Sequence, residues 1–279
     1  MLKQRILTAL VLAPIMIGGI FYLPLGQFKL FIAAIVTLGA WEWANLSGIK
    51  MQVGRVAYAG IIAALIWLVE FEGFVQEVDV LYLAFAWWIL AFILVALHPK
   101  LKSLWGSAPV RLLMGLAILL PMWVGFVQIK SYPFNDYLIM YVMFVVWGAD
   151  VGAYFAGRTF GKHKLAPSVS PGKTWEGVYG GLLVTFLMAL GGGYLLESKA
   201  GLSLDLTQWV LLVVLTLAIT FVSVVGDLIE SMVKRHRGIK DSSHLLPGHG
   251  GVMDRIDSMT AALPMFALAL SVFGWNLVV

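Results

Sequence analysis

Cysteine is absent from all 279 residues, which excludes disulfides, thiol catalysis and cysteine-ligated zinc. Charge is almost as scarce. Only 12% of the residues are Asp, Glu, Lys or Arg, where a soluble domain carries roughly 25%. Hydrophobic residues make up 61%, and the mean hydropathy is +0.91. A water-soluble fold is excluded, and the chain reads as a membrane protein.

Apolar runs approach the length of about 20 residues that crosses a hydrocarbon core roughly 30 Å thick. Nine occur, near residues 5–24, 28–47, 56–71, 78–97, 108–127, 137–157, 175–196, 207–229 and 256–277, of which 56–71 is the weakest. The expected fold is an all-α polytopic membrane bundle of about nine transmembrane helices. The first run lacks a small-residue cleavage site and a second follows at once, so it reads as a retained anchor.

Positive charge sets the expected orientation. With the N-terminus cytoplasmic, 16 of the 19 Lys and Arg lie in or beside inside-facing connections; Lys29, Lys130 and Lys199 are the exceptions. Glu70, Glu72, Glu77, Asp79, Asp136, Glu197 and Asp205 lie on the other side, as would the C-terminus.

The chain divides by content. Residues 1–130 read as a scaffold with little chemistry, and Glu42, between two tryptophans in "WEWAN", reads as an interfacial belt residue. Residues 131–279 read as the catalytic region, with long cytoplasmic connections at 158–174 and 230–255. Loops of that length are usually functional or disordered, and apolar residues interleaved with the charges argue against disorder here.

Four helix ends bring acids and cations to one leaflet. Along the eighth run, Thr220, Ser223, Asp227, Glu230, Ser231 and Lys234 recur at spacings of three or four and share one face. The ninth begins with Asp254, Asp257 and Ser258; the sixth ends with Asp150, Tyr154 and Arg158; the seventh opens on Lys173 and Glu176. A carboxylate within a membrane helix is costly unless it faces a polar cavity or a cation, and acids contribute little to orientation. Carboxylates without thiols suit a hard ion such as Mg²⁺ completed by substrate phosphates. Neighbouring Lys and Arg suit phosphate oxygens, and the glycines of "SPGKT" and "GHGG" let backbone N–H groups approach an anion. The combination points to phosphoryl or nucleotidyl chemistry on a lipid.

Competing readings are weaker. "SPGKT" has Pro167 where a Walker A loop needs glycine. His244 and His249 are five apart, off the spacing of a helical zinc pair; His249 between glycines reads better as a phosphate-contacting or hydrogen-bonding residue. Arg237 reads as a topology signal, and the pairs Gly148/Gly152 and Gly177/Gly181 as helix packing. A secondary transporter would hold its acids near the midplane. A lipid kinase shares the phosphate and membrane logic.

The run from Ser231 to Asp257, "SMVKRHRGIKDSSHLLPGHGGVMDRID", resembles the signature of the CDP-diglyceride synthetases, or phosphatidate cytidylyltransferases, of bacterial type. Its fixed positions fall on Ser231, Lys234, Arg235, Lys240, Asp241, Pro247, Gly248, His249, Gly250, Gly251, Asp254, Arg255 and Asp257, and the resemblance extends over most of residues 140–260. It implies a multi-pass enzyme of the inner membrane that joins CTP and phosphatidate into CDP-diacylglycerol and pyrophosphate, with Mg²⁺, a possible K⁺ and a homodimeric assembly. On that pattern Asp227 and Asp254 hold the metal and act in catalysis with Lys234 and Arg255. Asp150, Ser170, Lys173, Glu176, Ser231, Arg235, Lys240, Asp241, His249, Gly250 and Asp257 are the expected substrate contacts.

Overall fold

Backbone polar groups find no water in hydrocarbon, so a chain this apolar must satisfy them within helices. A computed structural model describes residues 2–71, 76–200 and 203–273 and shows that outcome. Eleven helices form among them: α1 (Leu2–Tyr22), α2 (Leu25–Leu46), α3 (Gln52–Phe71), α4 (Glu77–Ala96), α5 (Lys102–Trp105), α6 (Ala108–Lys130), α7 (Asn135–Phe160), α8 (Trp175–Ala200), α9 (Leu206–Arg237), α10 (Met253–Ile256) and α11 (Met259–Phe273). Eight are long and apolar enough to cross a membrane, and α11 is a shorter apolar helix. The all-α polytopic bundle is therefore the fold. Glu72 and the end of the ninth run lie outside the described residues, as do the side chains of Lys3 and Lys199.

The bundle is built around α6. Two-thirds (67%) of its apolar stretch is buried, against 11% for α1, so α6 is the central post and α1 faces lipid along most of its length. Glycine permits the closest crossings. A Cβ at Gly125 would stand 2.8 Å from the backbone nitrogen of Pro264 in α11, and one at Gly152 of α7 would stand 2.6 Å from the Gly180 carbonyl of α8. Gly177 and Gly181 meet the carbonyls of Ala153 and Ala149 in the same way, so the small-residue stripes pack helices as read.

Ion pairs tie the two sides of the bundle. On one side Lys29 pairs with Glu70 at 2.5 Å, and Lys130 pairs with Asp136 and reaches the Ile20 carbonyl. On the other side lie the two connections expected at 158–174 and 230–255.

Both of those connections are shorter than hydropathy predicts, because hydropathy marks the edge of the bilayer and not the end of the helix. α7 runs on to Phe160, and α9 continues to Gly238, whose φ of +74° ends it in the left-handed conformation that glycine adopts freely. At 32 residues α9 is about 48 Å long, well beyond the hydrocarbon thickness, and its last turns project past the apolar slab. Its other end is fixed by a capping box between Asp205 and Gln208. The first connection is not a loop but an antiparallel hairpin, β1 (Lys164–Ala166) with β2 (Ser170–Thr174), that delivers the chain into α8. The last run likewise begins later than 256, since α10 forms a separate turn and Asp257 lies between it and α11.

Candidate active site

Two lysines organise the acids of α9. Lys173, on β2, reaches across to Asp227 at 2.6 Å, and the other Asp227 oxygen accepts from Ser231 one turn on at 3.1 Å. Lys234 bridges Glu230 at 2.5 Å and Asp254 at 2.7 Å. These residues come from three separate elements, β2, α9 and α10, so the sequence-predicted convergence of Asp227, Asp254, Lys173, Lys234 and Ser231 is present. Glu230 is only 1% exposed, a position where an acid needs a partner, and Lys234 supplies it.

The two aspartates differ in their surroundings. Asp227 keeps a quarter of its side chain exposed. Asp254 keeps 5%, and its second oxygen accepts from the Ser242 amide (2.9 Å), the Ser242 hydroxyl (3.0 Å) and the Gly251 amide (2.8 Å). Burial alone would raise the Asp254 carboxyl, but hydrogen bonds from Lys234, Gly251 and Ser242 outweigh it and hold the group below its ordinary value. Asp257, in the turn before α11, goes the other way: burial, and then the neighbouring Asp227 carboxylate, push it up to about 7.

Beside this ladder lies a cavity of about 350 Å³ between α7, β2, α8 and α9, within the range of small-molecule sites, roughly 300–1,000 Å³. Ala149, Ala153, Val178 and Val224 make its walls apolar, while Asp150, Arg158, Lys173 and Thr220 supply its polar corner.

The remaining predicted residues divide by position. The Glu176 carboxylate is taken up by the Lys162 and His163 amides and the His163 ring, which brace the hairpin. Arg235 donates to the Val169 carbonyl at the hairpin tip, at 3.3 Å. Ser170 pairs in that hairpin opposite Ala166. Lys240, Asp241 and Arg255 are exposed. His249 is half-buried with no partner at Nδ1. Gly250 takes φ +86°, and a Cβ there would stand 2.5 Å from an Asp254 oxygen, so glycine is required on both counts.

Among the described residues no three His, Asp or Glu side chains form a ready-made metal cage. A hard ion that takes one or two carboxylates and completes its shell with substrate oxygens needs none. Asp227 fits that role, being partly exposed and sharing Lys173 with the cavity. Asp254 fits it only by exchanging Lys234 from its first oxygen, because its second is saturated.

Comparison with known proteins decides the family. A model described as "Cytidylyltransferase family" matches residues 3–273. The chain belongs to the cytidylyltransferase family. A phosphatidate cytidylyltransferase of Pseudomonas aeruginosa is 55% identical over 280 residues, covering 99% of each chain. One from Haemophilus influenzae is 41% identical, covering 96% of this chain and 98% of its own, and one from Brucella suis is 35% identical, covering 98% and 94%. Membership makes the chain a membrane-embedded nucleotidyltransferase.

Sequence reasoning misread one residue. Glu42 is not an interfacial belt residue: it is fully buried and accepts from Ser242, Ser243, Val252 and Met253, at the edge of the site. The reasoning that singled out Asp227, that an acid contributes nothing to orientation, applied equally to Glu42. Asn45, one turn further, donates to the Ser242 carbonyl, so α2 in the first half of the chain contacts the segment that leads into Asp254.

Proposed function

We propose that the chain transfers the cytidylyl group of CTP to phosphatidate, giving CDP-diacylglycerol and pyrophosphate, at the cytoplasmic face of a bacterial inner membrane. The observation that carries the proposal is the cavity between α7 and α8: apolar along one wall, with the cations Arg158 and Lys173 beside Asp150 at its polar corner, it suits an amphiphile whose anionic head is met by those two cations. Lys173 joins that cavity directly to Asp227 and the acid ladder. The relatives' printed name, phosphatidate cytidylyltransferase, supports phosphatidate as acceptor of a cytidylyl group.

The reaction demands little proton transfer, because a phosphate monoester is already anionic near neutral pH. An oxygen of the phosphatidate phosphate attacks the α-phosphorus of CTP, the bond from that phosphorus to the β-bridging oxygen breaks, and the electron pair leaves with pyrophosphate. The obstacle is repulsion between two anions, so positioning and charge neutralisation dominate. Lys173 and Arg158 hold the lipid phosphate at the cavity corner. Lys234, Arg235, Lys240 and Arg255 neutralise the triphosphate, and Ser231 and Glu230 keep Asp227 and Lys234 oriented. Asp227 and Asp254 would hold Mg²⁺, with K⁺ beside it, and the ion when bound supplies charge neutralisation at the α-phosphate. A homodimer with the N-terminus in the cytoplasm completes the reading. In support of a shared side, Arg5 donates to the Gly248 carbonyl at 3.0 Å, so the N-terminal end and the glycine loop lie together.

Labelled CTP tests this. Incubated with phosphatidate, Mg²⁺ and purified protein, label on the cytosine ring should enter the lipid fraction and γ-phosphate label should leave as pyrophosphate. γ-Label in lipid would make the chain a kinase, and no label in lipid would remove transferase activity toward phosphatidate; either result overturns the proposal.

A further inference from the structure

Glu42 is a buried carboxylate with no cation partner among the described residues, yet four donors lie within hydrogen-bond distance of it. One oxygen takes the Ser242 hydroxyl at 2.9 Å and the Met253 amide at 2.7 Å; the other takes the Ser243 hydroxyl at 2.5 Å and the Val252 amide at 3.0 Å. All four donors belong to residues 242–253, some 200 positions away in sequence. What Glu42 holds is therefore the placement of that segment and not of its own helix.

Ser242 carries the effect to the site. Its hydroxyl lies 2.9 Å from Glu42 and 3.0 Å from Asp254, and with one proton it donates to one carboxylate at a time. The Val252 and Met253 amides stand at the start of α10, immediately before Asp254. A Cβ at Gly251 would lie 2.0 Å from the Ser242 hydroxyl and 2.5 Å from both Glu42 oxygens, so Glu42 and Ser242 fill the space a side chain would need. From these contacts we infer that Glu42 is a positioning residue for nucleotidyl transfer, fixing through Ser242 and the α10 amides the orientation in which Asp254 meets Lys234 and the nucleotide. The inference rests on the reading of Asp254 as part of the transfer site.

The test compares E42Q, S242A and E42Q/S242A with E70Q, which removes a carboxylate pairing Lys29 on the opposite side of the bundle. An amide at position 42 keeps one acceptor oxygen and turns an N–H toward donors. Loss of such supporting contacts typically costs 10–100-fold. E42Q should lower kcat/KM for CTP by about that factor while the KM for phosphatidate stays within about twofold and the unfolding midpoint falls no further than in E70Q. S242A should show the same pattern more weakly, and it decides the matter if E42Q does not fold. The double variant should be no worse than E42Q alone, because both act through one contact. Normal CTP kinetics in E42Q or S242A, equal losses toward both substrates, or multiplicative losses in the double variant would each overturn the inference. D254N separates the two readings: if it is inactive while E42Q is normal, only the positioning role fails, and if D254N is active the site assignment fails and takes the positioning role with it.

Discussion

Asp227 and Asp254 each face a lysine, but only Asp227 opens toward the cavity side, through Lys173. Asp227→Asn should therefore remove charge beside the cavity without stripping a buried network. Turnover should fall by about 10²–10³-fold, the usual effect of losing one group that stabilises developing charge, with the unfolding midpoint in detergent nearly unchanged. Near-normal turnover would release Asp227 from its role. Lys173 extends the argument: K173R keeps a cation but replaces a point charge with a planar fork, so it should retain more activity than K173M, measured as KM for phosphatidate. At this scale the sequence was legible wherever partners lie on one helix. Ser231 and Lys234 follow Asp227 and Glu230 by four residues, and periodicity alone pairs them. It was illegible for Glu42, because all its partners lie across the fold and nothing local distinguishes a clamp from a belt residue.

The crossing of α7 and α8 sets the width of the cavity between them, and glycine sets the crossing. Leucine at Gly152 would drive a side chain into the Gly180 carbonyl region, and overpacking of this kind costs about 1–3 kcal/mol. G152L should lower the unfolding midpoint by several degrees and raise the KM for phosphatidate through the same displacement. A variant with an unchanged midpoint would show that the helices part without strain. Thr174 offers a milder probe: its hydroxyl accepts the Gly177 amide at 3.1 Å as α8 begins, so T174A should cost about 1 kcal/mol, as lost helix caps do. The long helices were readable because one physical length, the hydrocarbon thickness, governs them all. The hairpin before α8 was not. Its strands are three and five residues long, Pro167 lies between them and Pro171 within β2, and its order depends on Arg235 and Glu176 reaching in from other elements.

Across the whole molecule, charge predicts which side each connection faces, and the ion pairs are consistent with that division: Lys29–Glu70 and Lys130–Asp136 gather at one side, Lys173–Asp227 and Lys234–Asp254 at the other. Topology is decided by the balance of many such residues, so no single substitution tests it, but the absence of cysteine does allow a direct measurement. A cysteine at exposed His244, in the segment clamped by Glu42, and one at exposed Ser203, in the connection between α8 and α9, should report opposite faces. A charged, membrane-impermeant maleimide added to inside-out vesicles should label H244C and spare S203C, and right-side-out vesicles should reverse the result. Labelling of both from one side would place an even number of crossings between them where α9 alone provides one, and labelling with the opposite polarity would overturn the proposed cytoplasmic placement of the site.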